Sequence, residues 1–196
     1  FSAGDVRSRS SVLHPSAGGT PAVARAESGM IARARLREAG IADVPVLAVL
    51  HAGCFEDCWS AQSMFEVLSS PGVLAWIALA APTDAGAGAE ATPAGFAISR
   101  VASDEAELLS IGVLEQFRRQ GIATMLLSQV TRYVAAAGAR HLFLEVAENN
   151  LPARALYAVH GFTMVGKRPD YYRMRSGESI TALTLRRLLP PLQHLR

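Results

Sequence analysis

Six residues constrain this chain more than any others: Arg118-Arg119-Gln120-Gly121-Ile122-Ala123 stand between a strand-like run and a helix-like run. Glu107 to Val113 has strand character, and Gly121 to Ala136 sets Ile122, Met125, Leu126, Val130, Tyr133 and Val134 on one helical face. A helix start leaves N–H groups unpaired and carries the positive end of the backbone dipole. Small residues at Gly121 and Ala123 would let backbone amides close on a diphosphate with no side chain in the way. No Gly-Lys-Ser/Thr follows, which excludes a Walker A loop, and the three-glycine dinucleotide fingerprint is also absent. Alone, an R-x-x-G-x-A string is weak, and a solvated basic helix cap explains it equally well. Its place between strand and helix favours phosphate binding.

The remaining pattern surrounds this turn with alternating strands and helices. Met30 to Leu36 alternates as a half-buried strand, and Asp43-Val44-Pro45 supplies a cap and an early proline for a helix running to about Cys54. A short helix is predicted from Ser60 to Leu68, then a buried strand from Val73 to Ala80 after the Pro71-Gly72 turn. Pro82 to Pro93 has no periodicity and is expected to be a mobile hairpin loop. Strands are expected at Gly95 to Val101, Glu107 to Val113 and His141 to Val146, with a helix from Leu151 to Val159. Phe162 to Arg168 and Ser179 to Arg186 close the pattern as an antiparallel pair. The order β-α-α-β-β-β-α-β-α-β-β implies an α/β fold: one domain over residues 30–188, a mixed seven-stranded sheet with helices on both faces. Residues 1–29, rich in Ser, Ala, Gly and Arg, are expected to be a disordered extension, and 189–196 a tail.

Composition removes several other classes. Half of the 196 residues are hydrophobic, 18% are charged and the net charge is +2, too little to imply a nucleic-acid or membrane partner. No apolar run reaches the ~18 residues of a membrane span. Cys54 and Cys58 cannot form a metal site alone, and no His-x-x-His or Cys-x-x-Cys spacing completes one. A disulfide between them is the alternative, but they read first as a reduced pair in a cytoplasmic protein, with no metal expected. His51, His141 and His160 are scattered and read as structural or surface residues.

A second signal lies in Leu144-Glu145-Val146-Ala147-Glu148-Asn149-Asn150, followed by Ala155-Leu156-Tyr157 and His160-Gly161-Phe162. Here a strand ends on an acid and leads through two Asn residues into a short helix bearing Tyr157. Strand carboxyl ends beside helix starts are where open α/β sheets place ligands. Glu145 alternates with Leu144 and Val146 and therefore points away from their face. A solvated acid and a core-edge tyrosine would each explain one residue alone; together with the turn at Arg118 they point to a site.

These residues resemble the GNAT superfamily of N-acetyltransferases over roughly Met30 to Leu188, with Arg118-x-x-Gly121-x-Ala123 matching its Q/R-x-x-G-x-G/A acetyl-CoA motif. Within it, the chain is most similar to the RimI branch, which acetylates the N-terminal alanine of a small-subunit ribosomal protein. That likeness is carried by Phe55-Glu56-Asp57-Cys58-Trp59-Ser60, Asp104 to Leu108, Leu144-Glu145-Val146, Asn150 with Ala155-Leu156-Tyr157, and Asp170-Tyr171-Tyr172. The resemblance implies acetyl-CoA as co-substrate and, as acceptor, a protein N-terminal peptide such as that of a ribosomal protein. It also implies jobs for named residues. Ile111, Gly112 and Val113 would contact the pantetheine arm and acetyl group. The backbone of Arg119, Gln120, Gly121, Ile122, Ala123 and Thr124, with Arg118 before it, would hold the diphosphate, and Asn150 would hydrogen-bond the cofactor. Glu145 matches the general base and Tyr157 the general acid. Tyr171 and Tyr172, in a loop between the last two strands, would line the peptide groove, while an aromatic pair covering the sheet end explains them equally well; Trp59 could shape the substrate side of the cleft or equally anchor the second helix. Leu114-Glu115 departs from the usual Asp-Pro after the cofactor strand, and the Pro82 to Pro93 loop is longer than such proteins usually need. Another amine, whether a different protein N-terminus or a small molecule, is the alternative acceptor, and a non-catalytic acyl-CoA-binding module the alternative class.

The implied chemistry has two physical requirements. An α-amine with pKa near 8 arrives mostly protonated, and an ordinary carboxylate near 4.3 is poorly matched to it. A base at position 145 therefore needs partial burial or an intervening water. A phenol near 10 is a weaker acid than a thiol near 8.5, so full proton transfer from Tyr157 to departing CoA thiolate runs uphill by about 1.5 units. Tyr157 is expected to act first as a hydrogen-bond donor.

Overall fold

The computed structural model describes residues 34–81, 90–173 and 179–190. Its elements are β1 (Arg35–Ala39), α1 (Val44–Cys54), α2 (Ala61–Leu68), β2 (Val73–Ala80), β3 (Thr92–Ala102), β4 (Glu105–Val113), α3 (Ile122–Ala136), β5 (His141–Ala147), α4 (Leu151–Val159), β6 (Thr163–Arg173) and β7 (Ser179–Leu188). The seven strands form one sheet in the order β1-β2-β3-β4-β5-β7-β6. Every pairing is antiparallel except β4 with β5. The fold class is therefore the expected one.

Helix starts follow local chemistry. Ser60 Oγ accepts the Ser63 N–H at 3.0 Å and caps α2. Asn150 Oδ1 does the same for α4 through the Ala153 N–H, with Pro152 in the first turn. Asp43, expected to cap α1, turns back instead. Its carboxylate takes the Arg37 guanidinium at 2.6 and 3.0 Å and the Gly40 N–H at 3.1 Å.

The core has two parts, one on each sheet face. Leu47, Leu50, Cys54 and Met64 of α1 and α2 pack on Ile77, Phe96, Ile98 and Leu109. Ile122, Leu126, Leu127, Val130 and Val134 of α3 pack on Ile111, Val113, Leu142, Leu144 and Val146, together with Ala153 and Tyr157 of α4. A β-bulge switches β4 between the two. Register passes from Ile98↔Ser110 to Ser99↔Leu108, leaving Leu109 as the extra residue. Leu108 and Ile111 thereby share the α3 face, while Leu109 faces α1.

Several expectations change. The first strand begins at Arg35, and Met30 lies outside the described residues, as do 1–29, 82–89 of the expected loop and 191–196 of the tail. Pro93 belongs to β3. On α3, Leu127 is buried and Tyr133 is 38% exposed, set edge-on to Trp76 at 6.4 Å. Tyr171 and Tyr172 lie in β6, not in a loop. Just past β7, Leu189 is buried, its N–H on the Arg140 carbonyl.

Candidate active site

Parallel strands β4 and β5 share a register only from Glu105 to Glu107 and from His141 to Phe143. Beyond it β5 stays paired with β7 and β4 with β3, so the sheet opens between them along Leu108 to Val113. The direction of the exposed groups follows from the ladder. The Leu114 N–H bonds the Ala94 carbonyl at 2.9 Å, on the β3 side. Alternation then points Gly112 and Ser110 toward β3 and turns the N–H and C=O groups of Val113 and Ile111 into the opening. That edge can pair with an extended amide-bearing ligand as a strand would.

Gly112 has a different reason to be glycine. A Cβ there would lie 2.8 Å from Cys54 Sγ and 2.9 Å from Phe96 Cε1. Close packing against α1 keeps the position bare and holds β4 beside the helix.

At the mouth of the opening, Glu115–Phe117 form a 3-10 turn and the chain enters α3. Arg119 has φ +64 and Gly121 φ +78, both left-handed. A Cβ at Gly121 would meet no protein atom within 4 Å, so within the protein itself it is the backbone conformation that requires glycine. The helical ladder begins with the Met125 N–H on the Gly121 carbonyl. Amides of Ile122, Ala123 and Thr124 therefore leave the helix end with no intrahelical acceptor. Arg118 is drawn inward, its Nε 3.2 Å from the Val113 carbonyl, and braces the turn against β4, while Arg119 is exposed. Gln120 Nε2 bonds the Gln116 carbonyl at 3.3 Å.

Glu145 and Tyr157 approach the opening from opposite sheet faces. Leu144 and Val146 belong to the α3 cluster, so Glu145 between them points to the α1 side. Its side chain is 10% exposed, and its Oε1 is 3.2 Å from Arg168 Nε. Tyr157 is buried in the α3 cluster, edge-on to Phe162 at 5.6 Å. Burial alone pushes its phenol well above the usual tyrosine range. The hydroxyl stays protonated, a donor rather than a ready acid. Asn150 is fully buried, and while its Oδ1 caps α4, its Nδ2 has no partner. A buried donor left open at a strand end awaits an acceptor. With the free edge of Ile111 and Val113 and the amides opening α3, it fits a thioester carried on a diphosphate-bearing amide arm.

The surrounding residues sort differently. Cys54 and Cys58 are free, and burial pushes the Cys54 thiol up to about 11, against the opposing charge of Arg118. It is packing material, not a nucleophile. His51 is fully buried, and burial holds it down to about 4 although Asp57 works the other way. Its Nδ1 accepts the Trp59 N–H at 3.1 Å, and the Trp59 indole stacks on its ring at 4.8 Å. Trp59 thus anchors the α1–α2 connection through this histidine. Tyr171 hydrogen-bonds Glu145, while Tyr172 is described only by its backbone, opposite Ile180. Arg168, absent from the sequence candidates, meets Glu145 across β7. Among the described residues, no three His, Cys, Asp or Glu side chains cluster as a metal site would, and no helix is long and apolar enough to cross a membrane.

Comparisons with known proteins give the family and the fold. Residues 45–162 match the acetyltransferase (GNAT) family. A 90-residue stretch is 36% identical to the [ribosomal protein bS18]-alanine N-acetyltransferase of Haemophilus ducreyi, covering 46% of this chain and 62% of that protein. A stretch of 84 residues is 38% identical to the Escherichia coli protein of the same name, covering 43% and 57%. The chain thus matches about three fifths of the length of these curated relatives. The crystal structure of the Escherichia coli ribosomal-protein-S18-alanine N-acetyltransferase superposes with a TM-score of 0.69 at 24% identity, over 83% of this chain and 98% of that one. Arabidopsis thaliana NAA60 in complex with acetyl-CoA superposes at 0.67 with 20% identity, over 80% and 98%.

Proposed function

Since the chain belongs to the acetyltransferase (GNAT) family, we propose that it transfers the acetyl group of acetyl-CoA to a protein N-terminal α-amine. The N-terminal alanine of ribosomal protein bS18, named for its curated relatives, is the first acceptor to try. The observation that carries this reading is the opening between β4 and β5. A free strand edge lies along one side, unpaired helix amides at the mouth, and an acid and a phenol on opposite faces.

The thioester's amide arm extends the sheet along Ile111 and Val113, and the diphosphate rests on the amides of Arg119 to Thr124. Asn150 Nδ2 donates to the arm. The amine enters from the α1 side, past Trp59 and Tyr171, and gives its proton to Glu145 directly or through a water. Attack builds an oxyanion, which the Val113 N–H stabilises by a few kcal/mol. Tyr157 donates a hydrogen bond to the departing sulfur before any proton moves, because burial has made its phenol a weaker acid still.

Incubation with acetyl-CoA and a panel of N-terminal hexapeptides, followed by mass spectrometry, tests the assignment. One added acetyl group on the α-amine of the alanine-initiated ribosomal peptide is the expected product. Acetylation of a different N-terminus or of a small amine would keep the chemistry and replace the acceptor. Calorimetric binding of acetyl-CoA without CoA release toward any amine would leave only a binding module.

A further inference from the structure

Strand β6 leaves the regular ladder after Arg168, two β7 residues beyond the Thr184 that pairs with Glu145. Arg168 stands opposite Ala182 and Tyr172 opposite Ile180, so Pro169, Asp170 and Tyr171 occupy the length of one β7 residue. Asp170 takes φ +54 to make this bulge. Bulges re-aim side chains, and a left-handed non-glycine residue persists only where its surroundings hold it. Here Arg168 and Tyr171 converge on one carboxylate. Arg168 Nε is 3.2 Å from Glu145 Oε1, and its guanidinium carbon is 5.5 Å from the centre of the Tyr171 ring. The Tyr171 hydroxyl donates to Glu145; burial, then the charge and hydrogen bond of Glu145, raise the phenol, and Arg168 opposes them.

Exposure divides the three groups by what they can do. The Glu145 side chain is 10% exposed and Arg168 is 60% exposed. The carboxylate is built in, whereas the cation can swing out into water. A peptide α-amine arrives as an ammonium ion and must itself meet this carboxylate. Two cations crowding one small acid repel each other, so one of them leaves.

We propose that Arg168 is the resident counter-ion of Glu145 and a specificity-determining residue, displaced by the ammonium group of the incoming substrate. The exchange is cation for cation and keeps the enclosed carboxylate paired at each stage, while Tyr171 holds its orientation. A molecule without a charged amine brings nothing to replace Arg168 and gains nothing from the carboxylate. An ion pair with one well-exposed partner is weak, so the substrate displaces it readily. The proposal rests on Glu145 being the base of the reaction proposed above.

Arg168→Met and Arg168→Gln test it in the full chain, with acetyl-CoA and the hexapeptide that wild type acetylates. Because Arg168 no longer competes, KM for the peptide is expected to fall by about two- to fivefold. KM for acetyl-CoA stays the same, and Arg168→Lys restores the wild-type peptide KM. The same peptide lacking its α-amine, used as an inhibitor, is expected to bind wild type and variants equally. A peptide KM that stays unchanged or rises overturns the proposal, as does an amine-free inhibitor that gains as much as the substrate. A wild-type protein that acetylates no peptide overturns the function itself, and the counter-ion role with it.

Discussion

Tyr157 and His51 are both enclosed titratable side chains, and burial affects their chemistry in opposite ways. A buried phenol loses acidity, so Tyr157 keeps its proton and can only lend it. Tyr157→Phe is expected to lower kcat about ten- to a hundredfold, the worth of a hydrogen bond to a charged group, while acetyl-CoA affinity holds. Stopped-flow measurement of CoA release and calorimetry of cofactor binding would check the two halves, and a near-normal kcat would remove the role. Buried His51 instead loses basicity, from 6.5 to about 4. Its neutral form belongs to the fold, since the Trp59 N–H needs a bare Nδ1. Stability from this group is therefore complete above pH 6.5, where the unfolded histidine is also neutral. It is lost as pH falls through 6.5 toward 4, where the unfolded chain takes up a proton that the folded one refuses. The full loss is about 3 kcal/mol. Urea denaturation of wild type and His51→Asn across this window is expected to show a steeper acid decline in wild type. Glu145 and Tyr157 were picked out in the sequence because each belongs to a short contiguous motif, and the structure sets them on opposite sheet faces at the opening. Arg168 was not, because its contact with Glu145 crosses β7 and depends on a bulge that no spacing encodes.

The elements around the site were legible where one local rule governed them. Helix α1 starts at the predicted Val44 and ends at Cys54, α4 runs from Leu151 to Val159 as expected, and β2 spans the predicted Val73–Ala80. Where tertiary pairing decided, the local signals misled. Pro169-Asp170 looks like turn chemistry, and Asp170 does take a turn-like φ, yet β6 carries on around it as a bulged strand. Tyr133 fits the apolar stripe of α3, but Leu127 and Thr131 take the buried places because the face packed on the sheet is turned toward them and away from Met125 and Tyr133. The turn into α3 was found as a motif, and the structure adds a conformational reason for its glycine. Gly121 has φ +78, and no protein atom lies within 4 Å of where its Cβ would stand. Within the protein, Gly121→Ala therefore meets no clash, only the left-handed penalty of about 1–2 kcal/mol for an L-residue. The strain reshapes the turn, and acetyl-CoA affinity is expected to fall by up to about tenfold. Gly121→Asn, which tolerates this conformation better, should lose less. Calorimetric titration of both variants with acetyl-CoA measures the order, and an alanine variant that binds as well as wild type would separate the turn from the cofactor.

The molecule as a whole is a sheet joined at one end and parted at the other. Its β4–β5 seam holds three register pairs, from Glu105–His141 to Glu107–Phe143, while at the opposite end Ile111 and the Val113 N–H face the gap with no β5 partner and the Val113 carbonyl takes Arg118. A ligand seated in that gap does for the sheet what a missing strand would do, so cofactor binding and stability are coupled through these amides. At a concentration of acetyl-CoA a hundred times its dissociation constant, linkage adds about 2.7 kcal/mol. For a chain of this size each kcal/mol raises the melting temperature by roughly 2–4 °C. A rise of about 5–10 °C is therefore expected in thermal unfolding. Hydrogen exchange resolves where that gain arises. Amides of Gly112 and Ser110 point into the β3 ladder and should exchange slowly with or without cofactor. Ile111 and Val113 should exchange quickly in the free protein and become protected when acetyl-CoA binds, an alternation with the period of the strand itself. Uniform protection along β4, or none at its alternate residues, would mean that the cofactor stabilises the fold by some route other than completing the sheet.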